Sequence, residues 1–394
     1  MAGLTYRVGT DRPWGLAKMH APNTAWSVAV QQNPPDDVEL RFENDQGELS
    51  ALHPSGTLVL LRHGLIGMGG FGGVYKAAIN QEDGSVISAA VKIAYGKQKI
   101  RAPSRAFVHE VLTYWDQSSN PTCSDYMVCM LGAFFLRLSD CGPDEAYECL
   151  VLERMEGDVV KLVELVRQTG ASVDSKMHMA YYAALHMAFD MIMMHMNGFL
   201  HVDIKPENFL YTHDPVANVY RIKISDMGMA CSFDPQKMDQ LKKKAEDHKD
   251  TAMDITPLLK YVNSLECAPG GTPGFMDSVM SGLQRLKAKT DSPKFQQTFI
   301  DNDFHCLHTT VRDIIKTMGF NFYDPEVQKY NGTALTKFNS ARPFYADEQL
   351  NSFLQAEQLF VDRKIPLPNI APSAGTPQPS QSSSTVYFTA PQTP

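Results

Sequence analysis

The run His201-Val202-Asp203-Ile204-Lys205-Pro206-Glu207-Asn208-Phe209-Leu210 constrains this chain more than any other stretch. It follows a long apolar segment and sets an acid, a lysine and an asparagine at fixed intervals. That arrangement suits a rigid loop holding a base, a cation and a metal ligand around one phosphate.

At 394 residues and 43% apolar content the chain can bury a sizeable core, enough for two or three domains or one large bilobal unit. A formal charge of −8 argues against a nucleic-acid partner, which calls for clustered Lys and Arg on one face. The single basic run, Lys242-Lys243-Lys244, is followed by Glu246, Asp247 and Asp250 and reads as a solvated helix face. Cysteines stand at 123, 129, 141, 149, 231, 267 and 306, without a CxxC pair or a secretory h-region, which fits a reducing compartment and an intracellular location, cytoplasm or nucleus. The most apolar segment, Met177 to Leu200, is interrupted by His178, His186, Asp190 and His195 and falls short of a bilayer span of about 20 apolar residues. The chain is therefore expected to be soluble, with no membrane span.

Residues 1–55 form an extension of unknown role; the alternating runs Trp26–Val30 and Val38–Phe42 could be strands. A regulatory role and a structural cover both fit, the cover being preferred. From Thr57 a strand leads into Gly67-Met68-Gly69-Gly70-Phe71-Gly72-Gly73-Val74. In a dinucleotide-binding fold such glycines open a helix. Here Tyr75 to Ile79, a Glu82-Asp83-Gly84-Ser85 turn and Val86 to Ile93 read as strand, turn and strand. A hairpin tip whose backbone N–H groups approach phosphates fits better than a helix N-terminus.

Lys92 lies inside the apolar strand Ala89–Ile93, where a buried ammonium is costly unless paired. Glu110, in a helically spaced segment from Phe107 to Trp115, is its natural partner. Met127–Leu136 and Glu148–Leu152 complete a five-stranded small lobe, and Glu153–Asp158 reads as a linker into a helical region. From Asp174 to Phe199 apolar residues recur at helical spacing; the many methionines there read as core filling. The histidines at 178, 186 and 195 are read as ordinary core residues.

The ordered set of glycine-rich hairpin, strand lysine, helix glutamate, HxDxKxxN loop and Asp226-Met227-Gly228 resembles the eukaryotic-type protein kinase superfamily over roughly residues 56–312. The resemblance implies an α+β bilobal kinase-like fold, with a β-rich N-lobe at 56–153 and a mostly helical, somewhat reduced C-lobe at 154–363. It also implies a long activation segment, 226–276, and leaves 364–394 as a disordered tail rich in Pro, Ser, Gln and Thr. Carried over by position, Asp203 accepts or orients the proton of the attacking hydroxyl and Lys205 neutralises charge on the transferred group. Asn208 and Asp226 ligate Mg2+, and Lys92, held by Glu110, positions the α and β phosphates of ATP. Gly67, Gly69 and Gly72 cover those phosphates. Val74 and Ala90 lie above the adenine, Leu210 below it, the backbone of Glu153 and Met155 beside it, Leu152 at the gatekeeper position and Asp158 towards the ribose.

Lys205 before Pro206-Glu207-Asn208 resembles the serine/threonine branch, and the expected partner is a protein substrate. Gly271-Thr272-Pro273-Gly274-Phe275 resembles the end of an activation segment, with Thr272 bonding near Asp203. Asp303 matches the start of the family's central buried helix and braces the catalytic loop. His305, Cys306 and His308 suggest a metal by proximity, but a buried anchor is the preferred reading.

Four departures matter. Val202 replaces the arginine that usually precedes the catalytic aspartate, so activity is expected not to require activation-segment phosphorylation. Met227 stands in place of phenylalanine and is expected to form a column with Tyr114, Met130, His201 and Asp303. The activation segment is unusually long, with an added helix over Asp239–Asp250, and lacks Ala-Pro-Glu after Phe275. The closing helices are reduced, Asp347–Asp362 being the clearest. Such divergence on a trimmed large lobe suits a virus- or parasite-encoded member. Competing readings are a pseudokinase or scaffold that binds nucleotide and partner proteins, and a small-molecule kinase.

Overall fold

The computed structural model describes residues 56–321, with breaks at 70–71, 81–82, 100–101, 119–125, 138–140, 143, 215–218, 248–255 and 291, together with 5–6, 17–20, 48–53, 323, 325 and 327. The first strands are β1 (Thr5–Tyr6), β2 (Ala17–His20), β3 (Glu48–His53), β4 (Gly56–Met68), β5 (Gly72–Asn80) and β6 (Val86–Lys99). Helix α1 (Arg105–Ser118) follows, then β7 (Met130–Arg137) and β8 (Glu145–Glu153). These strands make one eight-stranded sheet in the order β1-β3-β4-β5-β6-β8-β7-β2.

The five strands read from the sequence, β4 to β8, are its centre, and the expectation of a five-stranded small lobe is corrected by three strands from the extension. β3 pairs antiparallel with β4, β1 parallel with β3, and β2 parallel with β7 at the opposite edge. An open sheet leaves unpaired backbone groups on both edges, and the extension supplies partners to both. The runs Trp26–Val30 and Val38–Phe42 lie outside the described residues, as do Asp347–Asp362 and the tail.

After β8 come β9 (Gly157–Asp158), α2 (Val159–Gln168), α3 (Val173–Met196), β10 (Phe209–Asp214), β11 (Val219–Ile224), α4 (Lys237–Asp247), α5 (Thr256–Leu259), α6 (Ser278–Arg285) and α7 (Gln296–Thr317). The stretch read as a linker does lead from β8 into α2, and on the way it forms β9 against β10 and caps α2: the Asp158 carboxylate accepts from Lys161 N–H at 2.8 Å. Val159, Leu162, Val163 and Val166 are buried at helical spacing, each such side chain contributing about 1.5–3 kcal/mol by leaving water. Helix α3 is buried almost all round, including Met177, Met179, Met187, Met191 and Met194, which places those thioethers in the core.

Helix α4 covers most of the expected 239–250 helix but begins earlier. Its basic run is only partly solvated. Lys242 and Lys243 are exposed, whereas Lys244 turns inward and donates to the carbonyl of Asp116 at 2.7 Å. Asp303 sits two turns inside α7 rather than at its start. Cys231 and Cys267 form a disulfide across 36 positions, a pairing not anticipated by reading the cysteines as those of a reducing compartment. Among the described residues no helix is long and apolar enough to cross a membrane.

Candidate active site

Strand β6 carries Lys92, in register between Val74 of β5 and Leu150 of β8. Its ammonium donates to both oxygens of Glu110 on α1, at 2.8 and 3.0 Å, and to Asp226 Oδ1 at 2.7 Å. Burial works against the Lys92 charge, but the two carboxylates outweigh it and raise its pKa. Glu110 is the more deeply buried partner and shares its lysine with Asp226. Burial pushes its carboxyl up to about 7 despite Lys92, and the nearby Asp226 charge adds to the rise.

The loop that follows α3 begins where Gly198 adopts φ 82°, a conformation glycine takes without strain. Leu200 bridges Cys231 through reciprocal backbone bonds. The next residues hang on one buried carboxylate: Asp303 Oδ2 accepts from His201 N–H and Oδ1 from Val202 N–H, each at 2.9 Å. His201 Nδ1 accepts from Asp203 N–H at 3.2 Å, so its Nε2 carries the proton and donates to the Ser225 carbonyl at 2.9 Å. Val202 has φ 70°, a left-handed conformation costly for a β-branched residue, and is wholly buried. It packs among Leu200, the disulfide cysteines, Met280, Phe299 and Ile300. Where the resemblance expects a phosphate-binding arginine, the fold therefore has an apolar cluster.

Asp203 emerges from this brace into a closed network. Lys205 Nζ donates to its Oδ2 and to Thr272 Oγ1, both at 2.8 Å, while the Thr272 hydroxyl donates to Oδ1 at 2.7 Å. Burial opposes ionisation of Asp203, but these bonds and the Lys205 charge hold its carboxyl below the ordinary value. Gly271, at φ 124°, presents Thr272; a Cβ there would lie 2.8 Å from the Val202 carbonyl oxygen.

Asn208 and Asp226 meet at the end of the β10–β11 hairpin, whose Phe209–Ile224 pairing makes them neighbours. Ser225 N–H donates to the Asn208 carbonyl at 2.8 Å. Asn208 Nδ2 donates to the Asp203 carbonyl at 2.8 Å, which fixes the amide so that its oxygen is the free end. Asp226 is left-handed at φ 61°, its N–H held by the Tyr114 hydroxyl at 3.0 Å. Lys92 keeps its carboxylate below the ordinary pKa against the effect of burial. One carboxylate and one amide oxygen are a hard, sparse donor set that fits magnesium, which retains several waters. Among the described residues no group of three or more His, Cys, Asp or Glu gathers for a metal. His305 and Cys306 face different ways: His305 is exposed, and Cys306 is buried with its thiol on the Phe275 carbonyl.

The residues expected to line a nucleotide slot come from the sheet and from the β9–β10 pair. At the hairpin tip Gly69 N–H donates to the Gly72 carbonyl at 2.9 Å, and a Cβ on Gly72 would lie 2.4 Å from the Ile93 carbonyl oxygen. Gly67 pairs with Val74 in β4–β5, Ala90 with Leu152 in β6–β8, and Leu210 with Asp158 in β10–β9. Glu153 ends β8; its carboxylate binds Lys223 of β11 at 2.6 Å and accepts from Cys129 N–H at 2.7 Å. Met155 is buried behind it. Tyr114, Met130, His201, Met227 and Asp303, the expected column, are all buried, and Tyr114, Met130 and Met227 share one cluster.

Two supporting residues escaped the sequence reading. His195, read as ordinary core, places Nε2 2.9 Å from Asp303 Oδ2, beside the loop's brace. Lys223 ties Glu153 to the hairpin that carries Asp226. The six-residue spacing from His195 to His201 was the available signal for the first; the second had none, because strand pairing made it.

The protein kinase domain family model matches residues 61–248. No curated protein matches the chain. Among solved structures the chain is similar to the ROP18 kinase domain in complex with AMP-PNP and sucrose, at 17% identity over 78% of this chain and 82% of that one, with a TM-score of 0.47.

Proposed function

Since the chain belongs to the protein kinase superfamily, we propose that it is an ATP-dependent serine/threonine protein kinase that needs no activation-segment phosphorylation. One observation carries this reading: Lys92 is bonded at once to Glu110 and Asp226, at 2.7–3.0 Å, while Asp203 stands ionised in its own network. Lys92, Glu110 and Asp226 gathered in this way serve to hold a nucleotide's phosphates, whereas an ionised Asp203 serves as a proton acceptor, which a scaffold that only binds nucleotide does not use.

Asp203, held below its ordinary pKa, orients the acceptor hydroxyl and takes its proton as the new P–O bond forms. For that to happen the acceptor displaces or shares the Thr272 hydroxyl on Oδ1. Lys205, already poised between Asp203 and Thr272, offers its remaining N–H to the transferred group. Lys92 holds the α and β phosphates with the N–H it otherwise gives to Asp226, keeping its bond to Glu110, and the backbone of the Gly67–Gly72 tip closes over them. Magnesium at Asn208 and Asp226 would neutralise developing phosphate charge. Positioning and electrostatics supply the acceleration, without a covalent enzyme intermediate.

The serine/threonine assignment rests on Lys205 two residues beyond Asp203 and on its bond to Thr272. Incubation with magnesium, γ-labelled ATP and peptide pools carrying Ser, Thr or Tyr should give phosphoserine or phosphothreonine. Nucleotide binding without transfer to any peptide would contradict the reading, as would transfer to small molecules alone.

A further inference from the structure

We infer that Asp116 is a positioning residue: the activation segment grips α1 at both ends, and its added helix α4 holds the far end through Asp116, so that Glu110 meets Lys92 without phosphorylation. This inference rests on the kinase reading above.

Helix α1 carries Glu110 near its middle and touches the 226–276 segment on either side of it. At the N-terminal end, Arg105 Nη2 donates to the Glu266 carbonyl at 3.0 Å, and His109 Nδ1 lies 3.2 Å from the Ala230 carbonyl. Ala230 and Glu266 precede Cys231 and Cys267, so the disulfide joins the two strands of chain that hold this end. At the other end, Asp116 lies about 9 Å beyond Glu110 along the helix axis. Lys237 reaches Asp116 Oδ2 at 2.7 Å; Lys244 reaches the Asp116 carbonyl at 2.7 Å and Oδ1 at 3.5 Å.

Both lysines bring more than charge. Lys237 is buried, donates to the Asn197 carbonyl at 2.9 Å and lies over the Phe199 ring, which anchors α4 to the start of the catalytic loop. Lys244 lies over Trp115, the neighbour of Asp116. Asp116 therefore joins the helix bearing Glu110 to the loop bearing Asp203 through α4. Surface ion pairs contribute little, but the Lys237–Asp116 side chains are both only 10% exposed, and breaking one partner of such a pair strands the other. With the far end released, α1 can shift, and small misplacements of a catalytic group cost rate steeply.

The test compares the full chain with Asp116→Asn, Asp116→Glu, Lys237→Met, the double variant Asp116→Asn/Lys237→Met, and Lys243→Met as an exposed control on the same helix. For phosphoryl transfer, kcat is expected to fall about tenfold in Asp116→Asn and in Lys237→Met. KM for the peptide should be unchanged, Asp116→Glu partly restored, and the double variant no worse than the more affected single one. Hydrogen exchange should quicken across residues 109–117 while α7 keeps wild-type protection. Additive losses, or Asp116→Asn with wild-type kcat and wild-type exchange in α1, would overturn the inference. A wild-type chain with no transfer at all would contradict the kinase reading instead, and exchange in α1 would still decide whether Asp116 holds the helix.

Discussion

Glu110 shares one lysine with Asp226 in a buried site, and its carboxyl, ordinarily near 4.5, is pushed up to about 7 chiefly by that burial. A raised carboxyl favours the folded chain while protonated. That contribution is complete below about pH 4.5 and is lost as pH rises through 7. Catalysis runs the other way, because only ionised Glu110 holds Lys92 by charge. Asp203, held below its ordinary value, is already ionised there. The profile of kcat/KM for ATP should therefore rise through an apparent pKa near 7, and the residual activity of Glu110→Gln should lack that limb. Persistence of the limb in the variant would assign it to another group. Val202 makes a second prediction: Val202→Arg would bury a guanidinium in an apolar cluster at a strained backbone position. A loss of about 3 kcal/mol or more in denaturant unfolding is expected, without gained dependence on phosphorylation. At this scale much was legible. Lys92, Glu110, Asp203, Lys205, Asn208 and Asp226 stand in readable local patterns. Their environments do not: Lys92 meets Asp226 across 134 positions, and the apolar surroundings of Val202 come mostly from residues between Cys231 and Ile300, well beyond any local pattern.

Elements were legible where one periodicity spans them and illegible where partners are distant. Strands β4 to β8, α1, α3 and α4 follow from alternation or helical spacing, whereas α2 was hidden because its apolar face begins directly after β9. The strands of the extension could not be placed, since β2 pairs with β7 more than a hundred residues on. The activation segment's disulfide likewise depends on approach in space. Closing a loop of 36 positions limits the unfolded chain, a stabilisation of about 4 kcal/mol on the chain-entropy account. Cys231→Ser/Cys267→Ser should lower the denaturant midpoint and steepen the denaturant slope, because the unfolded chain without the crosslink exposes more surface. An unchanged midpoint would show that the crosslink does not restrain the unfolded chain. Gly271→Ala tests the other anchor. Its φ of 124° and the 2.8 Å approach to the Val202 carbonyl leave no place for a methyl group. It should cost about 1–3 kcal/mol and displace Thr272 from Asp203, lowering kcat.

Across the whole molecule, a β-rich half presenting Lys92 and a helical half presenting Asp203 face one crevice, joined through Glu153–Lys223 and Lys92–Asp226. The extension pairs with both edges of the sheet, so its removal should expose strand edges and promote association through them. The central claim is that this crevice transfers phosphoryl groups with Asp203 orienting the acceptor. It is tested most directly by transfer from γ-labelled ATP with magnesium, comparing phosphatase-treated native chain with Asp203→Asn. The native chain should remain active after phosphatase, and the variant should lose about 10²–10⁴-fold in kcat while still binding nucleotide. Equal transfer by the two chains, or loss of native activity on phosphatase treatment, would contradict the account.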